Sequence, residues 1–228
     1  MYATEVEDRT FVFGSSGLLF RSNKLMYDRR SNSLWHALTG EPVVGILAHS
    51  GITLRRLPLV VTTWGQWRDD HPDTKVLSLD TGYTRDYTPG RPYGAYFASA
   101  ETMFPVWQRS RTLPTKALVY ALTVDGVPKA YPLTLLEQEH VTNDRLGSVS
   151  VVLVTDGRGR TVRAYRGEGH RFARGPDDRT LLDELGSRWT VTEDALVSGS
   201  AALPRVAGHV AYWFGWFAFN PRTLVYGQ

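Results

Sequence analysis

Short runs of Val, Leu, Thr and aromatic residues recur along the chain, bounded by Gly, Asn, Asp and Pro. That pattern predicts a β-rich protein. Strands are expected at Thr10 to Phe13, Lys24 to Tyr27, Ser33 to Ala37, Ile52 to Leu57 and Lys75 to Leu79. Further on they are expected at Ala117 to Val124, Val149 to Thr155, Thr161 to Arg166 and Thr190 to Val191. Asp125-Gly126 between two apolar runs predicts a hairpin, because a type I′ turn needs positive φ at both central residues. Gly157-Arg158-Gly159 reads as a second reversal, and Gly14-Ser-Ser-Gly17 as a turn between two strands rather than a phosphate loop.

Helical signals are few. Thr62-Thr63 can cap a helix that carries Trp64, Trp67 and Arg68 and stops near Asp70, because Pro72 disfavours helical geometry at His71. Pro132 to Glu139 starts with Pro in its first turn. Val210 to Phe219 is the third, ended by Pro221. The first and third carry the same phrase. Trp64, Trp67, His71, Pro72, Thr74 and Val76 match Trp213, Trp216, Asn220, Pro221, Thr223 and Val225, each pair 149 positions apart. Leu57-Pro58 and Leu203-Pro204 precede the two copies, and Ser33-Leu34-Trp35 and Ser187-Arg188-Trp189 lie further upstream. The expected fold class is therefore α+β, mostly antiparallel β with a few short helices, in two pseudo-repeated halves. Residues 1–80 form the first half and 81–114 a Tyr/Arg/Pro-rich connecting loop. Residues 115–228 form a hairpin plus the second half, all in one compact unit. Trp pairs three apart share a helical face, and all four are expected in the core.

Composition narrows the chemistry. The chain has 228 residues and no cysteine, which excludes disulfides, thiol nucleophiles and thiolate metal sites. Net charge is +3, but only four of the 26 basic residues are Lys, and acids interleave with the Arg. No basic face of the kind that binds nucleic acid stands out, and no apolar run reaches the ~20 residues that span a bilayer. The first ten residues lack the basic start and apolar core of a signal peptide, so the chain as written reads as cytoplasmic.

Three clusters compete as sites. Tyr27, Asp28 and His36 lie on adjacent expected strands, where Asp can orient a His that acts as base or ligand; Asp28 holding a turn is the structural alternative. Met26 with His36 is a weak copper candidate, although none of the six histidines stands at metal-ligand spacing. The long loop offers Arg85, Tyr87, Arg91, Tyr93 and Tyr96 as ligand contacts, Arg forking onto anions and Tyr giving a flat face and a hydroxyl. There is no nucleophile elbow. A module binding an unknown small molecule or protein partner, through the Asp80 to Tyr96 loop and the cleft between the halves, is the leading reading. An enzyme of unknown reaction, with a metal as cofactor in one version, is the alternative.

Several segments resemble a bacterial family, domain-of-unknown-function family 3179. They are Phe13 to Asp28, Ser33-Leu-Trp35, Thr39-Gly-Glu-Pro42, Thr63-Trp64, Trp67, His71-Pro-Asp-Thr74, Arg85-Asp-Tyr87, Pro92-Tyr93, Tyr96 and Lys129-Ala-Tyr-Pro132. Gly186-Ser-Arg-Trp189 and Tyr212 to Thr223 fit the C-terminal region. The resemblance supplies no activity. It implies exported or lipid-anchored relatives that carry a Tyr-Cys-Pro-x-Cys-Gly type strand upstream of the segment matching Arg9-Thr10. This sequence departs from that pattern.

Overall fold

The computed structural model describes residues 1–156 and 161–228; the Gly157-Arg158-Gly159 reversal lies outside them. The first half opens with a small hairpin, β1 (Glu5–Val6) and β2 (Arg9–Thr10), and a four-stranded antiparallel sheet. Its strands are β3 (Phe13–Phe20), β4 (Asn23–Asp28), β5 (Leu34–His36) and β6 (Pro42–Val44), in that spatial order. Helices α1 (Trp64–Asp70) and α2 (Gly94–Ala98) follow.

The second half begins with the hairpin β7 (Leu118–Val124) and β8 (Val127–Pro132), then α3 (Leu133–Glu139). Next come β9 (Val141–Leu146), β10 (Val149–Thr155), β11 (Val162–Arg166), β12 (Phe172–Arg174), β13 (Thr180–Asp183), β14 (Arg188–Val191), β15 (Ala195–Ser198) and β16 (Ala201–Val206). The chain ends with β17 (Gly208–Tyr212), α4 (Trp213–Phe217) and β18 (Leu224–Val225). Strands β9 to β16 make an eight-stranded sheet, order β12-β13-β14-β15-β16-β11-β10-β9. Its two edges meet: the Asn143 side-chain amide donates to the Phe172 carbonyl and accepts the Phe172 N–H, both at 2.8 Å. The second sheet has the order β17-β7-β8-β18.

Alternation explains the layering. Val152 and Val154 of β10 face a core with Tyr165, Phe172, Leu181, Trp189 and Leu196. Val151 and Leu153 of the same strand face a second core with Tyr120, Leu122, Leu133 and Leu136. On β7, Val119 and Ala121 turn the other way, onto Ala130, Trp213 and Trp216. Strands β7 and β10 are therefore apolar on both faces and stack three cores one over another. The fold is mostly antiparallel β with four short helices among the described residues, as the α+β reading anticipates.

Two turns differ from expectation. Gly14-Ser-Ser-Gly17 lies inside β3, and the register slips between Ser15 and Leu19. Gly14 leaves room there for the Tyr27 ring, which would have to shift to admit a β-carbon 2.5 Å away. The reversal sits at Arg21-Ser22, with φ of 45° and 65° between paired Phe20 and Asn23. Neither residue favours that region, but the Ser22 hydroxyl holds it by accepting the Trp107 N–H at 2.8 Å. The Asp125-Gly126 turn forms as expected, with φ of 49° and 76°.

Ile52 to Leu57 and Lys75 to Leu79 form no strand; only Arg56 makes an isolated bridge, to Tyr2. The first segment bonds to the N-terminus without a regular ladder, the Ala3 N–H donating to the Arg55 carbonyl and the Leu57 N–H to the Met1 carbonyl. Val210 to Tyr212 is strand, so the helix begins only at Trp213.

One local device occurs in both halves. Asp28, at the end of β4, accepts the backbone N–H of Arg30 and Ser31 and, at 3.0 Å, the Trp35 indole N–H. Asp183, at the end of β13, accepts the N–H of Leu185 and Ser187 and, also at 3.0 Å, the Trp189 indole N–H. Phe13 pairs with Asp28 and packs edge-on to Trp35 at 5.3 Å; Phe172 pairs with Asp183 and packs edge-on to Trp189 at 5.6 Å. Asp28→Ala leaves the buried Trp35 indole N–H and two half-buried turn amides without their acceptor, and Asp183→Ala does the same to Trp189 and its turn. Asp28→Ala is expected to lower unfolding free energy by about 3 kcal/mol, against about 1 kcal/mol for Trp35→Phe, and Asp183→Ala is expected to destabilise more than Trp189→Phe. Urea melts of the four variants check the order.

Candidate functional site

Asp28 and His36 are not brought together. Antiparallel partners share a face, so Trp35 lies with Met26 and Asp28, whereas His36 lies with Leu25. The Asp28 carboxylate is occupied by its turn and by Trp35. Burial opposes its ionisation, but hydrogen bonds from Ser31, Trp35 and Arg30 outweigh this and hold its pKa below the usual carboxylate value. His36 is fully buried, stacks on Phe219 at 3.8 Å and accepts the Thr39 N–H at Nδ1, 3.2 Å away. Burial first, and the Arg21 charge second, push its pKa down to about 4. Tyr27 packs over Gly14 and beneath the Arg29 guanidinium. Met26 is on the face away from His36. Among the described residues no group of three or more His, Asp or Glu is placed to hold a metal ion.

The loop residues are exposed and mostly engaged with one another. Arg91 pairs with Asp86 at 3.1 Å, the Tyr87 and Thr81 hydroxyls are 2.7 Å apart, and Arg85 lies over Tyr83. Tyr93 has positive φ and starts α2. Tyr96 lies under the Lys116 ammonium, 3.8 Å from its ring centre, and edge-on to Tyr212. These five side chains do not converge on one point.

A cleft forms where the two halves face each other. Its volume is about 510 Å³. One wall is α1 and its cap: Thr62, Gln66, Asp69, Asp70 and His71. Thr63 and Gln66 make a reciprocal capping box, which fixes the helix although no residue of α1 is buried. The other wall is the eight-stranded sheet, with Arg163, Arg179, Thr190, Thr192 and Glu193. Gln66 donates to Asp156 and Arg179 pairs with Asp70 across the gap.

Glu193 is gripped by two guanidiniums. Arg163 donates to Oε1 from Nε at 2.9 Å and from Nη2 at 2.6 Å, and Arg205 donates to Oε2 at 2.9 Å. Burial pushes the Glu193 pKa up, but the hydrogen bonds and charges of Arg163 and Arg205 bring it below the usual value. Arg205 also donates to the Leu59 carbonyl of the first half. Among the described lining residues five acids (Asp69, Asp70, Asp156, Asp178 and Glu193) face two Arg. The cleft thus concentrates hydrogen-bond acceptors in a chain that is basic overall. A cleft between the halves was expected, but no spacing rule joins Asp69 to Glu193, so its lining residues could not be singled out.

A family model described as "Protein of unknown function (DUF3179)" matches residues 1–223. The chain belongs to this family. No curated protein and no solved structure matches it. No helix among the described residues is long and apolar enough to cross a membrane.

The buried histidines set a pH dependence. His209, beside Arg56, is also lowered to about 4, chiefly by burial and then by that charge. Both side chains take up protons more readily when unfolded, so stability falls as pH drops from 6.5 towards 4. His36→Phe and His209→Phe should each shrink that fall, by on the order of 2 kcal/mol at its foot. Chemical denaturation at stepped pH checks this.

Proposed function

We propose that this DUF3179 chain is a binding module whose ligand enters the cleft between α1 and the eight-stranded sheet. The observation that carries the reading is the cleft itself: about 510 Å³, walled by both halves and lined with carboxylates and hydroxyls. Pockets of that size suit small molecules. Carboxylate and threonine oxygens favour a ligand rich in donors, such as an ammonium group or several hydroxyls. Asp69 is the residue to carry contact, because Asp70 is paired with Arg179 and Glu193 with two Arg. Arg85, Tyr87, Arg91, Tyr93 and Tyr96 form a second, exposed contact surface for the same module or for a protein partner.

We infer also that the halves descend from one duplicated unit. In support, the indole N–H of Trp67 donates to Thr74 Oγ1 at 2.9 Å, and that of Trp216 to Thr223 Oγ1 at 2.8 Å. The paired Asp–Trp arrangement supports the same inference.

The test is a panel of polyamines, amino acids and monosaccharides, followed by thermal shift and calorimetry. A cleft ligand should bind about tenfold more weakly to Asp69→Asn, a loss typical of one charged hydrogen bond, with the unliganded melting temperature unchanged. A panel ligand indifferent to Asp69→Asn but weakened by Arg85→Ala or Tyr93→Ala would move the site to the loop. A panel without any binder would sink the small-molecule reading.

A further inference from the structure

The two copies of the Trp phrase have the same local frame and opposite surroundings. In each, an indole N–H reaches a threonine hydroxyl seven residues on. Trp213 and Trp216 are 2% and 1% exposed, packed under Val119, Ala121 and Ala130 of β7 and β8. Trp64 and Trp67 are 51% and 41% exposed. The expectation that all four lie in the core holds only for the second pair. A seven-residue helix with no buried residue draws little stability from packing.

The neighbouring sheet shows the same difference independently. In the second half, the backbone of Phe172 on β12 is closed by Asn143 of β9. In the first half, β3 is an edge strand, and Leu18, Leu19 and Phe20 on it are 53%, 46% and 37% exposed. Long apolar edges are templates for another strand. The elements left open are thus counterparts of those covered in the second half by β7, β8 and β9.

We propose that the Trp64/Trp67 face of α1 docks a β-hairpin of a partner polypeptide, one that presents small apolar residues at alternate positions as β7 and β8 do. The covered copy supplies the shape: Val and Ala let two indoles approach the strands closely. A second copy of this chain does not fit, because its Val119, Ala121 and Ala130 are already fully buried on its own tryptophans. An anionic lipid surface does not fit either, since Asp69, Asp70 and Asp73 adjoin the face. The inference is independent of the cleft ligand.

The probe is a peptide with the sequence of Ala117 to Pro132, closed by a disulfide between added terminal cysteines and shown by NMR to be folded. It contains no tryptophan, so indole emission reports the full chain alone. The expected result is saturable binding with a blue shift of emission. Trp64→Ser with Trp67→Ser should weaken it by at least about tenfold, as loss of a paired aromatic anchor does. The same peptide with Asp at its Val119 and Ala121 positions should not bind. Because both Trp are exposed, the double variant is expected to fold, which circular dichroism confirms. The proposal is overturned if the folded peptide gives no shift, or if it binds the double variant equally well. It is also overturned if sedimentation shows a dimer that the double variant dissolves, because a second copy is then the occupant.

Discussion

A carboxylate that closes its own turn and holds the indole of the next strand is the constraint on which both halves depend. Asp28 with Trp35 and Asp183 with Trp189 each bury an acid, and a buried acid is stable only if its oxygens are bonded. Two turn amides and one indole N–H meet that need. In return the turn geometry and the Trp position are fixed together. A Phe from the preceding strand then packs on each indole edge-on. The first sheet and the far end of the eight-stranded sheet are therefore set by the same few atoms. This also explains why Asp28 has no oxygen left to orient a histidine.

The second half adds what the first does not show. Strands β7 and β10 bury both faces, so the tryptophans of α4 lie at the bottom of a stack of cores. The first half attaches to that stack through Phe219 against His36 and Phe20, and through the polar links across the cleft. Helix α1 is thereby held in place through Gln66 and Asp70 on one side while its indoles are partly exposed to solvent.

Much of the architecture was legible, and its failures have physical causes. Asp125-Gly126 was readable because few dipeptides tolerate two positive φ angles; Arg21-Ser22 adopts the same turn but relies on Trp107, which is remote in sequence. The cap of α1 was readable from Thr63, and the start of α3 to within one residue from Pro132. Whether an aromatic face is covered was not, since copies of one phrase, with Trp and Thr at the same spacing, are buried in one half and open in the other. For the site, residue type suggested that Asp28 and His36 act together. Strand alternation separates them once Leu25 is paired with His36. A cleft between the halves was expected, but its lining was not legible, because its walls come from segments about a hundred residues apart, as Asp70 and Arg179 are.

The central claim is that one sequence phrase serves two environments, with the Asp–Trp turns rigid in both halves. The most direct measurement is solvent exchange of the seven indole protons by NMR. The account predicts slow exchange for Trp35, Trp189, Trp213 and Trp216 and fast exchange for Trp64, Trp67 and Trp107. Protection of Trp64 and Trp67 in the isolated chain, or fast exchange of Trp35 or Trp189, would contradict it.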